Sequence, residues 1–217
     1  MSMAYTLYYH PLSSYCWKAL IALYEAGLDF EKRVVDLMAA EQRSEFLKLN
    51  PLGKFPVLTD SAHERPILES SILIEYLARH EPSAAMLVPE VPLEALPVRA
   101  RDRFFDLYVM EPMSKVVTDN LRPEGCRDPH GVAESRARLD TAYNILESFL
   151  QETEWAAGRT FTLADCAAAP SLYYADKIHP IPPALERSRR YLERLSERPS
   201  FARVLREAEP YFAMFPG

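Results

Sequence analysis

Glycine is scarce in this sequence, with 6 residues in 217 against 18 prolines. No GxGxxG or GxxxxGK[ST] run can be found, so the usual backbone cradles for dinucleotides and nucleoside triphosphates are missing. Cysteine is sparse as well. Cys16, Cys126 and Cys166 form an odd, widely spaced set, which argues against a disulfide framework and against the closely paired ligands of a zinc site. The 5 histidines make no HExxH pair, and Cys126 with His130 in RPEGCRDPHG lacks a second ligand pair. No metal is expected. No stretch approaches the roughly 18 apolar residues of a membrane span, and the opening MSMAYTLYYHPLSS lacks the basic-then-apolar pattern of a secretion leader. The expectation is a soluble, unexported protein of the reducing cytoplasm with no membrane partner. An excess of basic charge is missing too: 25 Lys and Arg against 31 Asp and Glu give a net charge of -6, a poor match for nucleic acid. The arginine-rich stretch ERSRRYLERLSERPS interleaves glutamates and reads as a solvated, ion-paired helix face.

What is present is an ordinary folded composition, 48% hydrophobic and 26% charged, in a chain long enough for one large domain or two small ones. The first eighty residues alternate strand and helix signals. Ala4 to Tyr9 is aromatic and β-prone; Ser14 to Ala26 carries Trp17, Leu20, Ile21 and Tyr24 at helical spacing, with Ser13 as N-cap candidate and Gly27 at the stop. Phe30 to Val35 reads as a second strand, EQRSEFLKL as a short helix, Phe55 to Thr59 and Arg65 to Leu68 as a hairpin, and Ser70 to Arg79 as an amphipathic helix. The order βαβ-α-ββα is the thioredoxin-like arrangement of an α/β unit. A proline-bearing linker is expected over 81–97. Beyond it, strand patterns disappear, and 98–217 reads as an all-α C-terminal bundle, with 1–80 as the first domain.

Three segments carry chemistry. In Ser13-Ser14-Tyr15-Cys16, a helix N-terminus meets the spacing of a CxxC motif whose first cysteine is serine. That hydroxyl can donate a hydrogen bond to a thiolate brought by a ligand and lower its pKa, or can serve only as an N-cap. In Asn50-Pro51-Leu52-Gly53-Lys54-Phe55-Pro56, a proline stands directly before a strand. A cis Phe55-Pro56 bond would turn the Phe55 backbone toward the helix corner, where an extended peptide can pair with it. In Leu68-Glu69-Ser70-Ser71, a strand-to-helix junction can bind a carboxylate through N–H groups and the Ser70 hydroxyl while Glu69 pairs with an ammonium; a capping role explains Ser70 as well.

HPLSSYCWKALIAL, NPLGKFPVL and ILESSILIEYLA resemble, in order and spacing, the glutathione site of cytosolic glutathione transferases, most closely the serine-type zeta class with its SSCSWRVRIAL motif. Phe161-Thr162-Leu163-Ala164-Asp165 resembles the family's helix-capping signature, so Thr162 and Asp165 are expected to be folding residues. The resemblance implies a homodimeric detoxifying transferase that takes glutathione as co-substrate. Ser13 would hold the sulfur, with Ser14 beside it; Phe55 and Pro56 would present the cysteinyl-pairing backbone; Lys54 would meet the glycyl carboxylate; Glu69 and Ser70 would hold the γ-glutamyl end. The electrophile pocket is expected between the halves, lined by Leu12, Tyr15, Tyr108, Phe212 and Phe215, with Tyr211 nearby. Tyr15 and Cys16 depart from the zeta motif, as do Lys18 and Leu20, which stand where it has two arginines. Rival readings are disulfide reduction through Cys16, a zeta-like isomerase, and a non-catalytic binding module that keeps the fold.

Overall fold

Along β1 (Tyr5–Tyr9), residues Tyr5, Leu7 and Tyr9 are buried while Thr6 and Tyr8 are half-buried, the alternation of a strand covered more heavily on one face. The computed structural model describes residues 4–216. β1 pairs in parallel with β2 (Phe30–Val34) and antiparallel with β3 (Val57–Asp60), which pairs antiparallel with β4 (Ile67–Leu68); the sheet order is β2-β1-β3-β4. The parallel pair needs a crossover, supplied by α1 (Ser14–Glu25). The helices α2 (Ala40–Leu49) and α3 (Ser70–His80) complete a thioredoxin-like unit. A small cluster of Val35, Phe46 and Val57 lies under α2, while α1 and α3 share the main core.

The second half is helical: α4 (Pro92–Phe104), α5 (Glu111–Asn120), α6 (Pro129–Phe149), α7 (Leu163–Ile178), α8 (Glu186–Glu197) and α9 (Pro199–Ala208). Helix α4 begins at Pro92, within the segment expected as linker, because Pro92 sits in the first turn, where its missing N–H costs nothing. Pro97 lies inside α4 and does not end it. The sequence predicts one helix over 93–120 with Pro97 near its start and a kink at Pro112; the structure breaks it with a π-helical turn over Phe105–Met110, in which Glu111 N–H bonds Asp106 C=O. Pro112 explains the widening. It has no N–H to give the Tyr108 carbonyl, and its ring would clash with that carbonyl in a continuous α-helix.

α7 is buried on almost all sides, and its run Ala167, Ala168 and Ala169 lets neighbouring helices approach closely. Thr162 and Asp165 form the capping box at its start: Asp165 accepts the Thr162 backbone N–H (2.8 Å), the Ala156 N–H (2.8 Å) and the Tyr191 hydroxyl (2.6 Å). The two halves meet where α1 packs on α7 and α9. Trp17 is fully buried there, stacked on Tyr174 at 4.6 Å and tilted against Phe201 at 6.0 Å. Burying a large apolar side chain contributes about 1.5–3 kcal/mol.

Candidate functional site

Ser13 caps α1. Its Oγ accepts the Cys16 backbone N–H at 3.4 Å, and its backbone N–H donates to the His10 carbonyl at 3.0 Å. The capping bond uses a lone pair only, so the hydroxyl proton stays free to donate. The N–H groups of Ser14 and Tyr15, in the first helical turn, have no partner within the helix and add positive potential at the same corner. The N-cap and thiol-holding roles of Ser13 are therefore compatible.

Two cavities meet at this corner. One, of about 180 Å³, is lined by Tyr15, Asn50, Lys54, Phe55, Pro56, Glu69, Ser70 and the α4–α5 residues Arg103, Asp106 and Leu107. The other, of about 410 Å³, is lined by Ser13, Ser14, Leu12, His10, Met113, Val117 and the tail residues Met214 and Phe215, among others. Tyr15 and Phe55 belong to both walls. Burial pushes the Tyr15 phenol up to about 12, so it stays protonated at neutral pH.

The Phe55-Pro56 bond is cis. No hydrogen bond among the described residues engages the Phe55 N–H or C=O, so an extended ligand finds a free backbone edge. Asn50, buried in the preceding turn, holds that turn by donating to the Lys54 carbonyl at 2.7 Å. Glu69 has φ 67 and ψ 123, a conformation that costs a non-glycine residue about 1–3 kcal/mol. The kink sets its exposed carboxylate on the cavity rim above Ser70, which is buried at the start of α3.

Asp106 and Arg103, which the motifs did not reveal, complete the small cavity. Asp106 Oδ2 pairs with Lys18 Nζ at 2.9 Å and with Arg103 at 2.5 Å, while its buried Oδ1 has no hydrogen-bond partner among the described residues. Burial raises the Asp106 carboxyl above the ordinary range, opposed by Lys18. Lys18 is also bonded to Ser71 Oγ at 2.8 Å and lies 2.5 Å from Asp102 Oδ1, outside hydrogen-bond angle. The sequence signal for these residues is R-D-R-x-x-D over 101–106, at the end of α4 and the start of the π-helical turn, a charged pattern typical of a solvated face; only the fold turns its acids inward.

Several expected residues lie elsewhere. Tyr108 does not line the large cavity: the π-helical turn leaves it 54% exposed, against Phe104. Phe212 packs in the core contact on Trp17 and Tyr173, and Tyr211 likewise lies outside the lining. Phe215 does line it, its ring tilted against that of Tyr174 at 5.1 Å. Cys16 is fully buried, and burial pushes its thiol up to about 12; it cannot serve as an exposed nucleophile. Among the described residues there is no cluster of metal-ligating side chains and no helix long and apolar enough to cross a membrane.

Comparison with known proteins gives a consistent result. The model for the glutathione S-transferase N-terminal domain matches residues 7–85, and that for the glutathione S-transferase C-terminal domain matches 129–205. Glutathione S-transferase 1 of Dianthus caryophyllus is 31% identical, over 76% of this chain and 75% of its own. FtsZ-localized protein A of Caulobacter vibrioides is 29% identical over 98% of this chain and 96% of its own. Among solved structures, glutathione transferase F7 from Populus trichocarpa superposes with a TM-score of 0.79 at 27% identity, covering 94% of this chain and 99% of its own. The transferase URE2P8 from Phanerochaete chrysosporium, solved with oxidized glutathione, reaches a TM-score of 0.86 over 98% of both chains; at 22% identity this supports the fold alone.

Proposed function

The chain belongs to the glutathione S-transferase family, and from that premise we propose that it binds glutathione in the small cavity and presents the thiolate at Ser13 to a hydrophobic electrophile in the large one. The observation that carries this reading is that Tyr15 and Phe55 wall both cavities, while Ser13 lines the larger one beside them, which supports a ligand reaching from one cavity to the other. The γ-glutamyl end would meet Glu69, Ser70, Asp106 and Arg103; the cysteinyl unit would pair with the Phe55 backbone ahead of Pro56; Lys54 would meet the glycyl carboxylate, and Ser14 would line the sulfur's approach. Ser13 O–H donates to the sulfur. A free thiol titrates near 8.5, and lowering it by two units takes about 2.7 kcal/mol of preference for the thiolate, within reach of a charge-assisted hydrogen bond plus a helix terminus. The rest of the catalysis is positioning.

Conjugation is favoured over zeta-like isomerisation because Lys18, at the position of a zeta-motif arginine, is 1% exposed and tied to Asp102 and Asp106. A homodimer is proposed through α3 and α4. These helices are joined by the Glu75–Arg99 pair and leave Ile72, Leu93 and Leu96 exposed. A cytoplasmic, detoxifying setting fits this chemistry and the free thiols of Cys16, Cys126 and Cys166.

Ser13→Ala tests the reading. Bound glutathione, followed by thiolate absorbance, should titrate one to two units higher in the variant, with affinity within about threefold of the parent protein. An unchanged titration would remove Ser13 from its role. A second reading rests on the relative named for localization with FtsZ, which matches nearly the whole chain: the fold would then serve as a protein-binding module. Calorimetry that finds no glutathione binding would favour it.

A further inference from the structure

The large cavity holds one imidazole that thiol activation does not use. His10 follows β1, lines the cavity with Leu12, Ser13 and Tyr15, and lies with its ring 6.5 Å from that of Phe55. Its Nδ1 accepts the Leu12 backbone N–H at 3.2 Å. A ring nitrogen that accepts carries no proton, so the neutral imidazole is held in the Nε2–H tautomer. The other ring nitrogen, which has no hydrogen-bond partner among the described residues, is therefore a donor on a residue that lines the cavity. Burial lowers the ring's pKa, and Asp36 opposes that only as the smaller influence, so the ring is uncharged at neutral pH. The other polar groups on this wall are the rotatable hydroxyls of Ser13, Ser14, Ser114 and Thr118 and the phenols of Tyr15 and Tyr174, of which Tyr174 already donates to the Leu12 carbonyl at 3.0 Å; His10 is the imidazole among them, with a held tautomer and a ring packed beside Phe55.

We propose that His10 is a specificity-determining residue of the electrophile cavity, whose Nε2–H donates a hydrogen bond to a substrate oxygen that gains negative charge as the glutathione sulfur attacks. The proposal rests on the reading that glutathione binds beside Ser13. With an α,β-unsaturated ketone, the C–S bond forms at the β-carbon and the π electrons move onto the carbonyl oxygen. The resulting enolate is held by His10 and takes a proton from water at the α-carbon. His10 keeps its own proton throughout. With an alkyl halide the electron pair leaves with the halide and no oxygen becomes charged, so His10 has nothing to stabilise. The site is thereby selective for electrophiles that carry an oxygen acceptor.

The test compares the parent protein with His10→Ala and His10→Gln, the glutamine offering an amide N–H at similar reach. At saturating glutathione, kcat/KM for an unsaturated ketone should fall about tenfold or more in the alanine variant and return to within about threefold in the glutamine variant. For an alkyl iodide, both variants should stay within about twofold of the parent. Calorimetry should show unchanged glutathione affinity in all three. Equal losses with the two electrophiles, while glutathione still binds, would overturn the role of His10 alone; a parent protein that binds no glutathione would overturn both this proposal and the reading beneath it.

Discussion

Lys18 Nζ, on α1, lies 2.9 Å from Asp106 Oδ2 on the π-helical turn, with 1% of the lysine side chain and 8% of the aspartate side chain exposed. Asp102 shares the same ammonium, and Arg103 covers the outer edge. A carboxyl whose folded pKa is raised, as burial raises that of Asp106, favours folding while protonated. Its contribution is fully present below the unfolded carboxylate pKa and is lost as pH rises through the higher folded value. Where it is ionised the group is thus a cost to the fold, retained beside a cavity proposed to receive the ammonium of glutathione.

Asp106→Asn should separate these effects. The ligand-free variant is expected to melt about 2–4 °C higher, corresponding to roughly 1 kcal/mol in a chain of this size, because an ionised buried group with an unpaired oxygen has gone. Glutathione affinity should drop about tenfold, equal to about 1.4 kcal/mol. Melting curves and calorimetry on one preparation check both, and a variant that loses stability would show that the carboxylate is needed by Lys18 itself.

Asp165→Ala should act on folding alone. The carboxylate receives four donors from three separate segments, the Ala156 N–H, the Thr162 N–H and hydroxyl, and the Tyr191 hydroxyl, and each orphaned buried group costs about 1–3 kcal/mol. Urea denaturation should show a loss of about 3–5 kcal/mol, while kcat/KM per folded molecule stays within about twofold. A selective fall in kcat without loss of stability would contradict the capping role.

Alkylation by iodoacetamide at pH 8 should modify Cys126, which is exposed, and leave Cys16 and Cys166 intact until denaturant is added. Burial pushes both inner thiols up, Cys16 to about 12 and Cys166 well above the usual range, so the reactive thiolate is not populated. Mass spectrometry reads the count. An adduct on Cys16 in the native protein would revive disulfide reduction as an activity.

The tail crosses the large cavity and is clasped by Asn120, whose side-chain amide donates to the Pro216 carbonyl at 3.0 Å. Phe215 fills part of the wall between this clasp and Tyr174. Phe215→Ala should raise KM for an apolar electrophile about three- to tenfold, consistent with partial loss of 1.5–3 kcal/mol of side-chain burial, and leave KM for glutathione unchanged. Steady-state kinetics with each substrate varied in turn would distinguish this from a general loosening, which would raise both.

The thioredoxin-like half was legible because its signals are local: the aromatic, β-prone run of β1, helical spacing after Ser13, the turn at Asn50-Pro51-Leu52-Gly53. The α7 cap was legible for the same reason, since Thr162 and Asp165 are three positions apart. Tyr108 was misplaced because its direction depends on the added backbone turn that Pro112 imposes, which periodicity alone does not register. Asp106 and Arg103 went unseen because a charged helix stripe looks solvated until Lys18, far away in sequence, is brought beneath it. The role proposed for His10 was not legible either, since it depends on the bond from Leu12 and on a cavity lined by the distant tail.

Trp17 has a practical consequence of its own. The chain has 2 tryptophans, and this one is sealed where the helix capped by Ser13 rests on the other half, its indole N–H donating to the Pro11 carbonyl at 2.5 Å. Parting of the halves would wet the indole and shift its emission to longer wavelength, even with every helix intact. Trp155 sits within the helical half beside Phe161 and Tyr191 and would stay dark to that event. Replacing Trp155 with phenylalanine would leave a single-tryptophan protein whose indole emission reports, without any label, whether the corner at Ser13 is still seated on its support.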